Sequence, residues 1–142
     1  MSGSGRLLIH TDGAARGNPG PAGLGAVLRD ADTGQTVAEL ARYLGVRTNN
    51  YAEWTAVEAA LAEARRLGAT AVDLRTDSEL VARQIAGRYR VRHPDLRPIH
   101  ARVMTLLAGF AAYTVGHVPR ERNREADRLS NVAIDERRGG ER

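Results

Sequence analysis

The chain contains neither cysteine nor lysine, so all 21 of its basic residues are arginine. The absence of cysteine excludes disulfide frameworks, thiolate zinc sites and thiol nucleophiles. The absence of lysine excludes a Schiff base and the lysine of a phosphate-binding P-loop. Aromatic residues make up only 4% of the chain, which disfavours single-strand binding by base stacking. Carboxylates and arginines remain as the main sources of chemistry and binding.

Long apolar runs are absent as well. No segment reaches the ~18–20 consecutive apolar residues of a membrane span, and the start of the chain, Met1–Arg6, lacks the pattern of a signal peptide. We therefore predict no membrane association, a cytoplasmic location and a monomer. The length of 142 residues fits one domain. We predict this domain over residues 1–142, with a core of about 6–135 and flexible tails at 1–5 and 136–142.

Charge is unevenly distributed along the chain, whose net charge is +4. Residues 1–82 carry 8 arginines against 10 acidic residues, whereas residues 83–138 carry 12 arginines against 6 acidic residues. The densest basic run, 83–102, holds six arginines and one acid. On charge alone, a solvated surface explains this run as well as a surface that binds a polyanion does.

Hydrophobic periodicity and turn residues predict five strands and four helices. The strands are expected at about 6–11, 24–28, 35–44, 71–76 and 113–118, and the helices at about 51–67, directly after Asp77, from Leu96 to Phe110 and at 123–134. A turn-rich segment, Gly13 to Gly23, should separate the first two strands. In the helix after Asp77, the side chains of Leu80, Val81 and Ile85 should face inward. Strands separated by helices pair in parallel, so the pattern predicts an α/β fold with a mixed sheet.

Three carboxylates lie at the ends of predicted elements. Asp12 and Asp77 each end a strand, and ligands bind at the carboxyl ends of strands in open α/β sheets. Asp127 lies in the first turn of the last helix, where negative charge suits the helix dipole. Each of these residues, taken alone, is equally well explained as a capping or dipole-stabilising residue.

Glu53 is harder to explain, because it shares a helix face with Val57, Ala60 and Ala64. A carboxylate on that apolar face must be neutralised by an arginine, a proton or a metal ion, and the sequence leaves the three open. If the sheet brings the four acids together, they form an all-oxygen site suited to Mg²⁺ or Mn²⁺. Two such ions can serve the attacking and leaving oxygens of a phosphodiester, which points to nucleic-acid hydrolysis.

Four segments resemble, in order and approximate spacing, the four motifs of the ribonuclease H type 1 family. They are Thr11–Gly23, Thr48–Glu53, Thr76–Val81 and His117–Leu129. The resemblance covers about residues 6–135, and the Val-Pro-Arg-Glu form of the last motif resembles one branch of the family. It implies a five-stranded mixed sheet of order 3-2-1-4-5. It also implies cleavage of the RNA strand of RNA/DNA hybrids, leaving 5′-phosphate and 3′-hydroxyl ends.

The resemblance implies roles for individual residues. Asp12 would contact two Mg²⁺ ions, with Mn²⁺ as an alternative; Glu53 and Asp77 would complete the first site, and Asp127 the second. Contacts to the substrate, some of them through 2′-hydroxyl groups, are implied at Gly13, Asn18, Asn49, Asn50 and Glu79.

The chain departs from the family pattern at two places. Many members carry Gln at the position of Glu79, and well-studied bacterial members carry a longer, lysine-rich insertion where this chain has only the short segment between Ile85 and Leu96. We expect weaker hybrid affinity or a different contact surface. The arginines predicted to contact substrate there are Arg88, Arg90 and Arg92.

Two residues compete for one role near the departing phosphate. His117 lies ten residues before Asp127, the spacing at which many family members place a mobile histidine that aids product release. The surrounding pattern, however, predicts a strand at His117. Arg120 could supply the cation instead, and the sequence leaves both residues open as catalytic candidates.

Two other functions are compatible with the composition. A nuclease of the same superfamily that acts on DNA is disfavoured, because Thr48-Asn49-Asn50 resembles the segment that contacts 2′-hydroxyls in ribonucleases H. A non-catalytic nucleic-acid-binding module is disfavoured, because such a module would bind phosphate more tightly without the four carboxylates.

Overall fold

Within residues 5–137, the part of the chain that the computed structural model describes, there are five strands, four α-helices and one 3-10 turn. The strands are β1 (Arg6–Ala15), β2 (Gly20–Asp30), β3 (Thr36–Arg47), β4 (Ala71–Thr76) and β5 (Ala112–His117). The helices are α1 (Asn49–Arg66), α2 (Glu79–Ile85), α3 (Arg97–Ala108) and α4 (Arg124–Glu136), and the 3-10 turn is Arg120–Arg122.

The strands form one mixed sheet of order β3-β2-β1-β4-β5, which confirms the predicted α/β fold and strand order. β1 pairs antiparallel with β2, and β2 with β3, as expected for strands joined by short turns. β1 pairs in parallel with β4, and β4 with β5, across connections that contain helices. The carboxyl ends of β1 and β4 therefore lie at the same edge of the sheet.

The segment predicted as turn-rich, Gly13 to Gly23, is mostly strand, because β1 continues to Ala15 and β2 begins at Gly20. Its glycines were interpreted as turn residues, but glycines in the hairpin of β1 and β2 also allow the helices to pack closely against the strands. At Gly25 in β2, a Cβ atom would collide with the backbone of Ala126 in α4. The absence of a side chain at this position lets α4 lie directly on the sheet.

The prediction for α2 was wrong at Leu80, whose side chain is 44% exposed. The Ser78 hydroxyl caps this short helix by accepting the backbone N–H of Val81. Val81 and Ile85 are buried as predicted, and they lie four residues apart on one helix face. Leu80 precedes Val81 by one residue and is therefore rotated away from that face.

The main core lies between the sheet and the helices α1 and α3. Its largest fully buried side chains include Trp54 from α1 and Ile9 from β1. Helix α4 packs on the strands β1, β2 and β3. None of the described helices is long and apolar enough to cross a membrane.

The predicted tails lie mostly outside the described residues, since 1–4 and 138–142 are not among them. Gly5 and residue 136, which were also assigned to tails, are described. Gly5 accepts a backbone hydrogen bond from Thr70. Glu136 is the last residue of α4, and Arg137, which was also assigned to a tail, is its C-cap residue.

Candidate active site

The parallel pairing of β1 and β4 positions two of the candidate acids. The last paired residues are Thr11 in β1 and Thr76 in β4. Asp12 and Asp77 directly follow these partners, so they lie beside each other where the parallel pairing ends. The prediction that each acid ends a strand holds for Asp77, which follows β4, but not for Asp12, because β1 continues to Ala15. Asp12 is 4% exposed and Asp77 is half-buried.

The third acid, Glu53, comes from α1. Thr48 caps this helix by accepting the backbone N–H of Tyr51 at 3.1 Å. Glu53 is 5% exposed, in agreement with its predicted place on the buried face. A Cβ atom at Gly13 would collide with the backbone of Ala52 and Glu53. Gly13 therefore lets α1 approach β1 closely enough to bring the side chain of Glu53 near that of Asp12.

Asp12, Glu53 and Asp77 each offer a carboxylate oxygen, and these three oxygens lie within 4.8 Å of one another. Oε2 of Glu53 is buried and has no hydrogen-bond partner among residues 5–137. Over the same residues, no arginine or histidine forms an ion pair with any of the three. Of the three ways to neutralise Glu53 that the sequence left open, the structure does not provide the arginine.

Burial and the neighbouring negative charges raise the pKa of Asp12 and of Glu53. The pKa of Asp12 rises to about 8, first because of burial and then because of the negative charges of Asp77 and Asp127. Burial, followed by the charges of Asp12 and Asp77, raises the pKa of Glu53 well above its ordinary value, and the backbone of Gly13 only partly opposes this rise. A bound cation would relieve the same repulsion, because it favours the ionised carboxylates.

Asp127 lies beside Asp12 but outside the group of three. The side-chain amide of Asn131 donates to the carbonyl oxygen of Asp127 at 3.0 Å and to its Oδ1 at 3.3 Å. Arg16 donates to the amide oxygen of Asn131 at 3.1 Å and also contacts Asp135. Arg16 thereby fixes the orientation of the Asn131 amide, so that its nitrogen faces Asp127.

Ser130 in α4 and Asn123, which directly precedes α4, contact β1 at Asp12 and Thr11. The Ser130 hydroxyl lies 3.1 Å from Oδ2 of Asp12 and 2.8 Å from the carbonyl oxygen of Asp127. It has one hydrogen, so it can donate to only one of them at a time. The side-chain amide of Asn123 donates to the carbonyl oxygen of Thr11 at 2.9 Å.

The sequence did not predict the contacts of Arg16, Asn123, Ser130 and Asn131. For Ser130 and Asn131, the spacing in the sequence could have predicted a position near Asp127. Ser130 and Asn131 follow Asp127 by three and four residues, so they share its helix face. For Arg16 and Asn123 no local signal existed, because their partners are distant in sequence.

The five predicted substrate contacts lie in β1, in the turn between β1 and β2, and at the starts of α1 and α2. Gly13 lies between Asp12 and α1, and the side chain of Asn18 accepts the backbone N–H of Asn49 at 3.0 Å. Asn50 lines a cavity of about 810 Å³ between the start of α1 and the segment that leads into α3. Glu79, the first residue of α2, is exposed and lies 3.6 Å from Arg83.

Apart from the exposed Arg97, which begins α3, the arginines of the basic run 83–102 divide into two groups. Arg83 and Arg102 form ion pairs with Glu79 and Glu58. The other group lies in the segment 86–96 between α2 and α3, which we name the Arg loop. Its three arginines are exposed and form no ion pair with any residue between 5 and 137: Arg88, Arg90 and Arg92.

His117 is the last residue of β5 and pairs in register with Thr76 of β4. It is therefore held by a strand, as the local pattern predicts, and its side chain is exposed. Arg120 begins the 3-10 turn that leads into α4, and it is exposed as well. Neither forms an ion pair with an acid of the described chain.

A family model described as reverse transcriptase-like matches residues 10–133. The bifunctional protein Rv2228c of Mycobacterium tuberculosis is 44% identical over 92% of this chain, and the match covers 36% of that protein. Ribonuclease HI of Halobacterium salinarum is 46% identical over 93% of this chain and 66% of its own length. The chain thus spans about one third and two thirds of these two relatives. Ribonuclease H of Anaplasma marginale is 34% identical, with 96% of both chains covered.

Solved structures show the same likeness. The N-terminal RNase H domain of Rv2228c from Mycobacterium tuberculosis superposes with a TM-score of 0.89 at 44% identity, covering 92% of this chain and 99% of that chain. LC11 RNase H1, solved in complex with an RNA/DNA hybrid, has a TM-score of 0.86 at 40% identity, covering 92% of this chain and 98% of its own. From the matched model, the relatives and the shared fold, we conclude that the chain belongs to the ribonuclease H family of nucleases.

Proposed function

We propose that the protein is a type 1 ribonuclease H that cuts the RNA strand of RNA/DNA hybrids and leaves 5′-phosphate and 3′-hydroxyl ends. The observation that carries this proposal is the group of three carboxylates, which lie within 4.8 Å of one another and form no ion pair with an arginine or histidine among residues 5–137. The similarity to LC11 RNase H1, which was solved with an RNA/DNA hybrid, supports the choice of substrate. The Val-Pro-Arg-Glu form of the last motif and the short Arg loop support the assignment of the protein to the branch of the family that shares this form of the motif.

The donor set fits Mg²⁺, with Mn²⁺ as an alternative, because all of its ligand atoms are carboxylate oxygens. The unpartnered Oε2 of Glu53 supports this fit, since a buried carboxylate oxygen needs a partner. We propose that Asp12, Glu53 and Asp77 hold one ion, and that Asp12 and Asp127 hold a second. When bound, such ions activate a water molecule and stabilise the charge on the leaving oxygen.

The other residues of the site orient the carboxylates or interact with the substrate. Ser130 and Asn131 hold the carboxylates of Asp12 and Asp127 by hydrogen bonds, and burial limits the access of bulk water to Asp12 and Glu53. We propose that His117 or Arg120 provides a positive charge near the departing phosphate. Because all four carboxylates come from one chain, we propose that a monomer suffices.

We assign substrate contacts to two groups of residues. The first group would contact the hybrid near the scissile bond: Gly13, Asn18, Asn49, Asn50 and Glu79. The second group would bind phosphates through the exposed Arg loop: Arg88, Arg90 and Arg92. Among residues 5–137 these arginines have no acid partner, and this supports the assignment because it leaves their charge available to a polyanion.

The proposal is tested by offering the protein four substrates of one sequence: an RNA/DNA hybrid, double-stranded RNA, double-stranded DNA and single-stranded RNA. Each is incubated with Mg²⁺, Mn²⁺ or EDTA. We expect cleavage of the RNA strand of the hybrid with either ion and none with EDTA. Cleavage of double-stranded DNA would favour a DNA nuclease of the same superfamily. Binding of the hybrid without cleavage would favour a non-catalytic module.

A further inference from the structure

Gln84 is a buried amide that joins the core to the Arg loop. It lies in α2 and is 7% exposed. Its Oε1 accepts the indole N–H of Trp54 at 3.2 Å, and its Nε2 donates to the backbone carbonyl oxygen of Arg90 at 3.3 Å. Trp54 is fully buried and is the only tryptophan of the chain. Its ring also makes an edge-on contact with the ring of His100.

The indole fixes the orientation of the Gln84 amide. An indole N–H can only donate, so the buried nitrogen of Trp54 requires an acceptor. Only Oε1 of Gln84 can serve, and this leaves Nε2 pointing toward the carbonyl of Arg90. If the amide were reversed, two N–H donors would face each other and the carbonyl would face Oε1. A buried polar group that loses its partner in this way is costly.

The Arg loop has other attachments as well: the side chain of Leu96 at its end is buried in the core, and the guanidinium of Arg83 lies over the ring of Tyr89. Val91 is the one buried apolar residue between 86 and 95, and a cavity of about 790 Å³ lies between Gln84, the loop and α3. Arg88 is tied to the end of α2 by its backbone N–H, which donates to the carbonyl oxygen of Arg83 at 2.9 Å. The Arg90 carbonyl and the Val91 side chain therefore point inward, while the guanidinium groups remain exposed.

We propose that Gln84, locked by Trp54, is a positioning residue that holds the Arg loop where its arginines meet the phosphates of the hybrid. Gln84 contacts no substrate itself. The inference rests on the proposed function, because it assumes that Arg88, Arg90 and Arg92 bind the hybrid. According to this inference, the buried Gln84 affects hybrid affinity only indirectly. Gln84 also connects the loop to α1 through Trp54, the residue that follows Glu53.

The first measurement compares wild type with Gln84→Met, which keeps the side-chain length and removes both hydrogen bonds. The affinity for a labelled RNA/DNA hybrid is measured by fluorescence anisotropy in EDTA, and KM and kcat are measured with Mg²⁺. We expect Kd and KM to rise about fivefold, consistent with the loss of one or two ordinary hydrogen bonds. The value of kcat should stay within about twofold of wild type, because the carboxylates are untouched.

A second variant separates the two hydrogen bonds of the amide. Gln84→Glu keeps an acceptor for the Trp54 indole and, when it is ionised at alkaline pH, has no donor for the Arg90 carbonyl; all variants are compared at that pH. We expect its hybrid affinity to fall as in Gln84→Met, while its Trp54 emission stays close to that of wild type. The emission of Gln84→Met should change. Ile85→Val, one residue along α2, serves as the control for general loss of packing, with unchanged Kd and emission.

The decisive experiment repeats Gln84→Met in a protein that also carries Arg88→Ala, Arg90→Ala and Arg92→Ala. These substitutions keep the backbone carbonyl of Arg90. If Gln84 acts only through the loop arginines, the further substitution should leave Kd unchanged in this background. An equal fivefold loss in both backgrounds would overturn the inference, as would a fall in kcat with KM unchanged.

The same variants distinguish a failure of the inference from a failure of the proposed function. If the triple arginine variant binds the hybrid as tightly as wild type, the proposed contact of the Arg loop is wrong, and the inference falls with it. If the triple variant binds weakly but Gln84→Met binds like wild type, the loop contact stands and the role of Gln84 alone is overturned.

Discussion

The carboxylate site and the Arg loop are built in opposite ways. Asp12, Glu53 and Asp77 come from parts of the chain that pack against one another, and burial together with the neighbouring negative charges raises the pKa of Asp12 to about 8. The Arg loop is largely exposed, carries three arginines against the single acid Asp95, and is attached through the Arg90 carbonyl and the buried side chains of Val91 and Leu96. The site is therefore fixed by the fold at a cost in stability, whereas the loop is separable from it. Substitutions in the carboxylate site should lower the rate of cleavage, whereas substitutions in the Arg loop should weaken the binding of the hybrid.

The largest expected effect is the loss of catalysis on removal of one charge from the site. Asp77→Asn keeps the shape of the side chain and removes a ligand, so we expect the rate of hybrid cleavage to fall by about 10²–10⁴. Hybrid binding in EDTA should be kept, since a negative charge has been removed.

The matched control for Asp77→Asn is Asp73→Asn on the same strand. Asp73 is bound by Arg75 and Thr114 away from the site, so this variant should melt at a lower temperature and retain its cleavage rate. A wild-type cleavage rate for Asp77→Asn would contradict the assignment of the site.

The second prediction concerns the arginines of the loop. Replacing Arg88, Arg90 and Arg92 together with alanine should raise KM roughly 30-fold, if each phosphate contact contributes somewhat less than about 1 kcal/mol. The dependence of log Kd on log salt should become shallower by about 2–3. The value of kcat at saturating substrate should change little. An unchanged salt dependence would show that the loop is only a solvated surface.

The third prediction concerns Asn131, which donates to the carboxylate of Asp127. Asn131→Ala removes this support, and groups that orient metal ligands typically affect metal affinity 10–100-fold. Because Asp127 is only half-buried, we expect the Mg²⁺ concentration for half-maximal activity to rise about tenfold, at the low end of that range. KM for the hybrid at saturating Mg²⁺ should stay constant. An increase in KM alone would assign Asn131 to substrate binding instead.

The smallest expected effect is on stability. Because the pKa of Asp12 is raised from 3.8 to about 8, the folded chain binds more protons than the unfolded chain between these values. The stability of the metal-free protein should therefore fall as pH rises through this window. Asp12→Asn should melt a few degrees higher than wild type at pH 8 in EDTA, at about 2–4 °C per kcal/mol, and the difference should shrink at pH 5. Equal melting temperatures at both pH values would contradict the raised pKa.

Local patterns were sufficient to single out the acids and to predict a mixed sheet. Glu53 was recognised because its helical neighbours at Val57 and Ala60 are apolar, and the order of the elements predicted a mixed sheet, whereas the strand order itself came from the resemblance to the ribonuclease H family. The hairpin from Gly13 to Gly23 was misjudged, because glycine there serves close packing as well as turns. The exposed side chain of Leu80 was missed because a helix of seven residues gives too short a period.

The supporting contacts of the site could not be predicted in the same way. Ser130 reaches Asp12 from 118 residues away, and Gln84 reaches Trp54 from 30 residues away. Such pairs depend on the packing of whole elements, and each residue alone is an ordinary polar side chain on a helix. Only the three-dimensional arrangement shows that the amides of Gln84 and Asn131 are each oriented by a neighbouring donor.

The central claim is that the carboxylate site cuts RNA in a hybrid and requires a divalent ion. It is tested most directly with a hybrid that carries different labels on its RNA and DNA strands, incubated with the protein in Mg²⁺ and in EDTA. We predict that only the RNA strand is cut, that the products carry 5′-phosphate ends, and that EDTA abolishes the reaction. Cleavage that persists in EDTA, or cleavage of the DNA strand, would contradict the account.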